Sequence, residues 1–271
     1  MKTNKKTLLI TALVVAAAIA AVAVVAVMKR NEPPAEPTTD SPRPVMFGYY
    51  DSSDFSVENE RKIYSGKDFD TLTGIDVSSF QGDIDWKAVA ADGISFAFIR
   101  AGFRGSSEGG IFDDDLFEDN AADAAAAGLQ VGAYFFSQAV SEDEAREEAR
   151  FLLDAVEGRD VDLPLVIDFE DISSDSRISG LTNAERTAVV SAFADEIRAN
   201  GREPMLYTSM YYATEKLYYE QLDLPVWLAA YSGPTEFGYG FTVWQYSSDG
   251  SVAGIDGPVD MDLMFVKKPA R

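Results

Sequence analysis

The sequence contains no cysteine and no histidine. Without cysteine, neither a disulfide framework nor a thiolate metal site can form. Without histidine, the most common general base is missing, and with it the serine–histidine pair and most zinc chemistry. Any acid–base chemistry in this chain must therefore come from aspartate, glutamate, tyrosine or lysine.

Basic residues are also few, with 23 lysines and arginines against 45 aspartates and glutamates. Five of these basic residues lie within the first 30 positions, which contain no acidic residue. The remaining 18 basic and 45 acidic residues give positions 31–271 a net charge of −27. Nucleic-acid binding requires a basic surface, so we exclude nucleic acid as a partner and interpret the charge as a solubilising acidic surface.

One long apolar run begins at Leu8 and ends at Met28, with lysines before it and Lys29 and Arg30 after it. About 20 apolar residues suffice to cross a bilayer, whereas the core of a signal peptide has about 7–15. Residues 1–30 are therefore predicted to be an uncleaved membrane anchor or a cleaved signal segment. Both alternatives place the rest of the chain outside the cytoplasm.

The exported part divides into three segments by composition. Residues 31–44 are rich in proline, threonine and glutamate, which predicts an extended stalk. Residues 45–73 are polar and aromatic, and we expect either an extra hairpin or a docking segment. Residues 74–271 are predicted to form one barrel domain.

Short apolar runs alternate with helical patterns from residue 74 onward. Capping signatures place helix starts at Ser141, with Glu144, and at Thr182, with Glu185, and a further helix is predicted over 113–127. Later connections show little helical periodicity. This pattern predicts an α/β fold with a parallel sheet, an irregular TIM-like (β/α) barrel with some outer helices missing and the chemistry at the carboxyl ends of the strands. The eight predicted strands are 74–80, 96–103, 130–136, 163–170, 204–209, 225–231, 241–247 and 259–265.

The stretch LVIDFED, residues 165–171, ends an apolar strand in acid. Asp168 and Glu170 are alternate residues, so their side chains share a face about 6–7 Å apart along the strand. When two carboxylates share a site, the pKa of one of them is raised. Glycoside hydrolases use such a pair of carboxyl groups for catalysis. The alternatives are a solvated strand end and an ion pair with Arg100.

Further acidic residues lie on other strands of the predicted barrel. Asp76 lies on the first strand and Asp260 and Asp262 on the last, and these two strands are neighbours in a closed barrel. Asp76 and Asp260 are therefore expected to meet at the mouth. An acidic cluster of this kind is also compatible with divalent metal binding through Asp168, Glu170, Asp260 and Asp262. No glycine-rich phosphate loop accompanies it, and we predict no metal and no cofactor.

Eight segments together resemble the glycoside hydrolase family 25 lysozymes. In chain order they are GIDVSSFQGDIDW, FAFIRAGF, VGAYFF, LVIDFED, MLYTS, VWLAAY, VWQYSS and GIDGPVDMDLMF, and they run from about residue 74 to 265. The opening motif and the D-x-E pair are specific in combination. The resemblance implies a muramidase that cuts the β-1,4 bond between N-acetylmuramic acid and N-acetylglucosamine in peptidoglycan glycan strands.

The resemblance also implies catalytic roles. Glu170 is expected to be the general acid, and Asp168 to stabilise an oxocarbenium-like transition state or to orient the acetamido group of the substrate. Asp76 and Asp260 are expected to complete the acidic floor. Asp262 stands where the family often has asparagine.

Substrate contacts are expected from aromatic and polar side chains near the strand ends. The family frequently has histidine at the position of Phe135, so one polar contact is missing here. For Gln81 and Arg100, a turn residue and a salt-bridge partner are the alternative interpretations. The predicted substrate-binding residues are Tyr134, Tyr207, Tyr231, Trp244, Gln81, Arg100 and Asp262.

A non-catalytic barrel that displays a glycan-binding surface at the membrane is the main rival. All four carboxylates implied by the resemblance are present, which favours the enzyme.

Overall fold

The computed structural model describes residues 50–233 and 237–268, which belong to one compact unit. The predicted anchor or signal segment, the predicted stalk and residues 45–49 lie outside the described residues. Among the residues that are described, no helix is long and apolar enough to cross a membrane.

The secondary structure consists of eleven strands and five α-helices among the described residues. The strands are β1 (Phe55–Glu58), β2 (Arg61–Tyr64), β3 (Phe69–Val77), β4 (Phe96–Arg104), β5 (Ile111–Asp113), β6 (Gln130–Ser137), β7 (Leu165–Phe169), β8 (Pro204–Ser209), β9 (Val226–Ala229), β10 (Val243–Gly250) and β11 (Val259–Lys267). The helices are α1 (Trp86–Ala91), α2 (Phe117–Ala126), α3 (Glu142–Val156), α4 (Asn183–Ala199) and α5 (Met210–Glu215). Short 3-10 helices cover Ser52–Asp54, Ser79–Gln81, Arg177–Gly180 and Tyr219–Gln221.

Eight of the strands close into a barrel in the order β3, β4, β6, β7, β8, β9, β10, β11, with β11 pairing back onto β3. Each of the eight predicted strands corresponds to one of them. β5 adds an antiparallel edge to β4. Within the described residues no helix lies between β9 and β10 or between β10 and β11. The predicted irregular barrel with missing outer helices is therefore confirmed.

The last strand differs from the predicted parallel sheet. β11 is antiparallel to both β10 and β3. Only residues 251–258 connect β10 to β11, and a parallel crossover needs about a dozen residues or more. β11 therefore begins at the end of the barrel where the other strands finish, and this register sets Asp260 directly opposite Asp76.

Both predicted capping residues lie at the start of a helix. Thr182 and Glu185 form the complete capping box at α4. At α3, the Ser141 hydroxyl accepts from the backbone N–H of Glu144, but the Glu144 carboxylate forms an ion pair with Arg177 at 2.8 Å. The same carboxylate also accepts from the backbone N–H of Val140 at 2.9 Å, one residue before the N-cap, so only half of the predicted box forms.

Large aromatic rings fill the barrel interior, and glycines on neighbouring strands make room for them. Phe96 and Phe98 on β4 point inward and are fully buried. A Cβ atom at Gly74 would lie 2.3 Å from the Phe96 ring, and one at Gly132 would lie 2.3 Å from the Phe98 ring. Any side chain at these two positions would displace the rings, so the barrel core requires glycine there.

The segment before the barrel folds as a hairpin. β1 and β2 pair through a two-residue turn at Asn59 and Glu60, which both have positive φ, as tight hairpin turns require. The Phe55 ring lies 5.2 Å from the Trp244 ring. The hairpin therefore packs on the outer wall of the barrel beside β10. The first barrel strand begins at Phe69, earlier than the predicted residue 74.

A buried ion pair joins the barrel to an outer helix. Arg104 Nε at the end of β4 donates to Glu148 Oε1 on α3 at 2.6 Å, and Ser137 Oγ donates to the other oxygen at 2.5 Å. Arg104 Nη1 also donates to the carbonyl of Gly109 at 2.7 Å. The pair thus ties the loop after β4 to α3.

We expect Arg104→Met to lower the free energy of unfolding by about 3–5 kcal/mol, because the Glu148 carboxylate is left buried without its cation. Adding Glu148→Leu removes both charges and should recover most of this loss. Burial raises the pKa of Glu148 to about 7, although Arg104 lowers it, so urea unfolding is best measured at pH 8, where the carboxylate of the parent protein is mostly ionised. A double variant no more stable than the single variant would contradict this assignment.

Candidate active site

A cavity of about 1050 Å³ opens at the end of the barrel where seven strands finish and β11 begins. Its wall combines carboxylates, tyrosines and two arginines with several apolar side chains. Nine of the eleven site residues predicted from sequence line it together: Asp76, Gln81, Arg100, Tyr134, Asp168, Glu170, Tyr207, Tyr231 and Asp260. Trp244 and Asp262 do not.

Asp168 and Glu170 reach the cavity from the end of β7. Asp168 occupies the fourth of five buried strand positions, and within the described residues its Oδ1 atom has no hydrogen-bond partner. Burial, followed by the charge of Glu170, raises the pKa of Asp168 well above its ordinary value, and Arg100 opposes this shift. An unpartnered carboxylate oxygen in a cavity wall is free to act on a bound molecule.

Glu170 follows the last residue of β7 and is held through its backbone. Gln138 Nε2, fully buried, donates to the Glu170 carbonyl at 3.0 Å. Burial and then the charges of Asp260 and Asp171 raise the pKa of Glu170. Both effects favour the protonated form, which a general acid requires.

Asp76 and Asp260 face each other across the β3–β11 pair, as predicted. Burial raises the pKa of Asp260 to about 6. The pKa of Asp76 is raised further by burial and by the charges of Asp262 and Asp260, although a hydrogen bond from Gln245 opposes the shift. The cavity floor therefore holds carboxylates whose charges disfavour one another.

Gln245 is a site residue that the sequence analysis missed. Its Nε2 atom donates to Asp76 Oδ2 at 2.7 Å. Its Oε1 atom accepts from the hydroxyls of Tyr207 at 2.9 Å and Tyr231 at 2.8 Å. Gln245 thus fixes two tyrosines and one carboxylate of the cavity. Its inward direction could have been predicted from the sequence, because it lies two residues after the inward-facing Val243 on the same strand.

Trp244 does not contact the cavity, which corrects the prediction that it binds substrate. Its side chain is 1% exposed, packs on the hairpin residue Phe55 and donates from Nε1 to the carbonyl of Ala230 at 2.9 Å. Alternation along β10 turns Gln245 inward and therefore Trp244 outward. The tryptophan that does line the cavity is Trp227 on β9.

Asp262 also lies outside the cavity, so its prediction as a substrate contact is corrected as well. It is 0% exposed, and its Oδ1 atom accepts from Trp227 Nε1 at 2.8 Å. Two residues further along β11 than Asp260, it lies deeper in the barrel. Its role is to hold Trp227 and to raise the pKa of Asp76.

Gln81 and Arg100 each have the structural role that was the alternative to substrate binding, and each also lies at the cavity. Gln81 Oε1 accepts from the backbone N–H of Ser78 at 2.9 Å, so it is a turn residue. Arg100 Nε donates to Asp114 Oδ2 at 2.8 Å, so it is a salt-bridge partner. Both nevertheless line the cavity. The helix α2 begins at Phe117, later than the predicted residue 113, because residues 111–113 form strand β5.

The carboxylates give the cavity a pH dependence whose sign follows from the charges. Since the negative charge of Asp260 raises the pKa of Glu170, Asp260→Asn should lower that pKa. The alkaline limb of kcat/KM is therefore expected to move to lower pH in this variant. A pH profile with a glycan substrate measures the shift, with Asp123→Asn, an exposed change on α2, as the control. An unchanged or raised alkaline limb in Asp260→Asn would contradict this electrostatic coupling.

Among the described residues, no three carboxylates are arranged to hold a metal ion. The arrangement instead offers two neighbouring carboxyl groups with raised pKa values and aromatic side chains in one cleft. This is the chemistry of glycoside cleavage without a cofactor.

Comparisons with known proteins agree with this chemistry. Residues 75–255 match the profile of "Glycosyl hydrolases family 25". The chain is similar to the autolytic lysozyme of Clostridium acetobutylicum, with 29% identity over 70% of this chain and 55% of that protein. It is also similar to lysozyme M1 of Streptomyces globisporus, with 32% identity over 70% of this chain and 66% of that protein. The chain thus spans between about half and two thirds of the length of these relatives.

The fold comparison gives the same result. The crystal structure of the bacterial lysozyme from Streptomyces coelicolor superposes with a TM-score of 0.56 and 29% identity, over 70% of this chain and 90% of that one. Because the family profile covers well over half of the sequence and the barrel matches a solved lysozyme, the chain belongs to glycosyl hydrolase family 25.

Proposed function

We propose that this protein is a peptidoglycan hydrolase, an N-acetylmuramidase that cleaves the β-1,4 bond between N-acetylmuramic acid and N-acetylglucosamine. The observation that carries the proposal is the pair Asp168 and Glu170, which end one strand inside a cavity and both have raised pKa values. The names of the similar lysozymes support the choice of substrate.

In the proposed reaction, Glu170 donates its proton to the glycosidic oxygen as the bond from that oxygen to the anomeric carbon breaks. Asp168, through its unpartnered Oδ1 atom, stabilises the positive charge that develops on the sugar or orients the acetamido group. Water then adds at the anomeric carbon, and one of its protons restores Glu170. The sum is hydrolysis of one glycosidic bond without a cofactor.

The remaining cavity residues are proposed to bind the sugar and to adjust the pKa of Glu170. We propose that Asp260 favours the protonated form of Glu170 through its charge, and that Asp76, which lies opposite Asp260, completes the acidic floor. Gln245 is proposed to hold the hydroxyls of Tyr207 and Tyr231 in fixed positions for the sugar. Aromatic faces bind sugar rings well, and Tyr134 lines the same cavity, so we propose it as a stacking partner. Trp227 is 1% exposed and stacks on Phe98, so we propose that it supports Tyr134 and Tyr207 from behind.

We further propose that the barrel acts outside the cytoplasm. Residues 1–30 serve as a membrane anchor or a cleaved signal, 31–44 as a stalk and 45–73 as the flanking hairpin segment, with the hydrolase barrel following over 74–271. An anchor with a stalk would keep the enzyme beside the wall and raise its effective concentration there. Fractionation of cells that express the chain, followed by mass measurement of the protein recovered, distinguishes anchor from cleaved signal.

The test of the function is release of soluble material from dye-labelled, purified peptidoglycan. The parent protein should release dye, and a chelator should leave the rate unchanged. Tight binding with no release would instead indicate a non-catalytic glycan-binding barrel, and loss of activity with the chelator would indicate a metal-dependent hydrolase.

A further inference from the structure

One side of the cavity mouth carries exposed apolar side chains. Phe80 is 84% exposed, Ile172 is 56% exposed and Phe112 is 50% exposed. Together with Phe103, they line the cavity, and we refer to these four residues as the apolar rim. Large apolar side chains gathered at the edge of a cavity mark a binding surface, because leaving them in water is costly.

The rim is held in place by the residues behind it. The guanidinium of Arg100 lies 4.8 Å from the centre of the Phe80 ring and 5.3 Å from that of Phe103. The rings of Phe103 and Phe112 stack at 5.3 Å. Because Asp114 fixes Arg100 through a 2.8 Å ion pair, the three phenylalanines of the rim form a preformed surface that needs little ordering on binding.

The chemistry of the rim differs from that of the cavity floor. Tyr207, Tyr231 and Gln245 give the floor hydroxyl and amide groups, which suit the hydroxyls and acetamido groups of sugars. The side chains of the rim offer no hydrogen-bonding group. A ligand that suits the rim therefore presents apolar groups, which are either methyl groups or the apolar face of a sugar ring.

The rim also begins close to the proposed catalytic residues. Ile172 follows Glu170 by two positions, and the charge of Arg100 acts on Asp168. Whatever binds the rim is therefore attached to, or adjacent to, a sugar bound on the floor. In peptidoglycan, the group attached to the muramic acid sugar is a short peptide joined through a lactyl group, and both carry methyl groups.

We propose that the apolar rim binds the peptide stem of peptidoglycan while the floor binds the glycan. This inference rests on the proposed muramidase function and extends it to the part of the polymer that is not cleaved. It makes the rim a specificity element that favours glycan carrying peptides over bare glycan.

The test measures binding in the Glu170→Gln background, so that substrate is not consumed. The two ligands are soluble glycan oligomers that carry their peptide stems and the same oligomers after an amidase has removed the stems. Calorimetry gives the dissociation constants for Phe80→Ala, for Phe112→Ala and for Val57→Ala. Val57 is an exposed apolar residue on the β1–β2 hairpin and is the matched control.

Phe80→Ala and Phe112→Ala should each weaken binding of the stem-bearing oligomer about 5- to 20-fold, corresponding to about 1–2 kcal/mol. Binding of the stem-free oligomer should change by less than about twofold, and Val57→Ala should change neither. Because Phe80 is mostly exposed, its variant is expected to fold normally.

Equal weakening for both oligomers would mean that the rim binds sugar, and no weakening would mean that it binds nothing; either result overturns the proposal. If neither oligomer binds the Glu170→Gln protein, the proposal is also overturned. Failure of the proposed function gives a different result, in which the oligomers bind with the rim dependence described but the parent protein does not cleave them.

Discussion

Replacing Glu170 with glutamine is expected to lower kcat on peptidoglycan oligomers by about 10²–10⁴-fold, the contribution of a general acid. Glutamine has nearly the same shape but cannot donate the proton that the leaving oxygen needs. The Gln138 bond to the backbone carbonyl of residue 170 does not involve the side chain, so the loop should keep its position. Steady-state kinetics on soluble oligomers, with KM determined alongside, measure the effect.

The matched control is Glu203→Gln. Glu203 is exposed and lies just before β8, at the opposite end of the barrel from the cavity. It should leave kcat within about twofold of the parent value. A Glu170→Gln protein that retains more than about a tenth of the parent kcat would show that another group supplies the proton.

Replacing Asp168 with asparagine is expected to reduce kcat by about 10²–10³-fold, the usual cost of removing one preorganised electrostatic group. The same change should stabilise the fold at neutral pH and above. The pKa of Asp168 is raised in the folded protein, so its ionisation opposes folding and stability is lost as pH rises through that pKa. Asparagine does not ionise and escapes this penalty.

Thermal unfolding at pH 4 and pH 8 measures the second effect. The gain in Tm of Asp168→Asn over the parent should be larger at pH 8 than at pH 4. Asp162→Asn, an exposed change before the start of β7, should show no such dependence. A gain that is equal at both pH values would mean that the charge of Asp168 is not the cause, and a loss of stability at pH 8 would mean that its carboxylate is paired.

Most of the barrel could be predicted because the apolar runs and helix caps of the sequence mark the same strands and helices that pack together in the fold. The strands are short apolar runs, and Thr182 with Glu185 marks a helix start that the structure reproduces in full. The antiparallel direction of β11 was missed because strand patterns do not record direction. The length of the connection over 251–258 contained that information, since it is too short for a parallel crossover.

The site was predicted less completely, for two reasons. Adjacent residues of a strand face opposite sides, so a shift of one position exchanges Trp244 for Gln245. An aromatic residue is attractive as a sugar platform, but here the hairpin covers it. Trp227 and the rim residue Phe112 reach the cavity through tertiary geometry that no local pattern encodes.

The carboxylates were predicted because acid at the end of an apolar strand is costly without a use. Their mutual electrostatics could not be predicted to the same depth. Asp262 lies beneath the floor and raises the pKa of Asp76. Its position there depends on the register of β11 against β3, which only the fold determines.

The most direct test of the central claim is the identity of the new reducing ends in a digest of purified peptidoglycan. The digest is reduced with borohydride, hydrolysed in acid and analysed by mass spectrometry. Muramitol should appear with the parent protein and be absent with Glu170→Gln. Glucosaminitol in place of muramitol, or muramitol formed equally by both proteins, would contradict a muramidase that acts through Glu170.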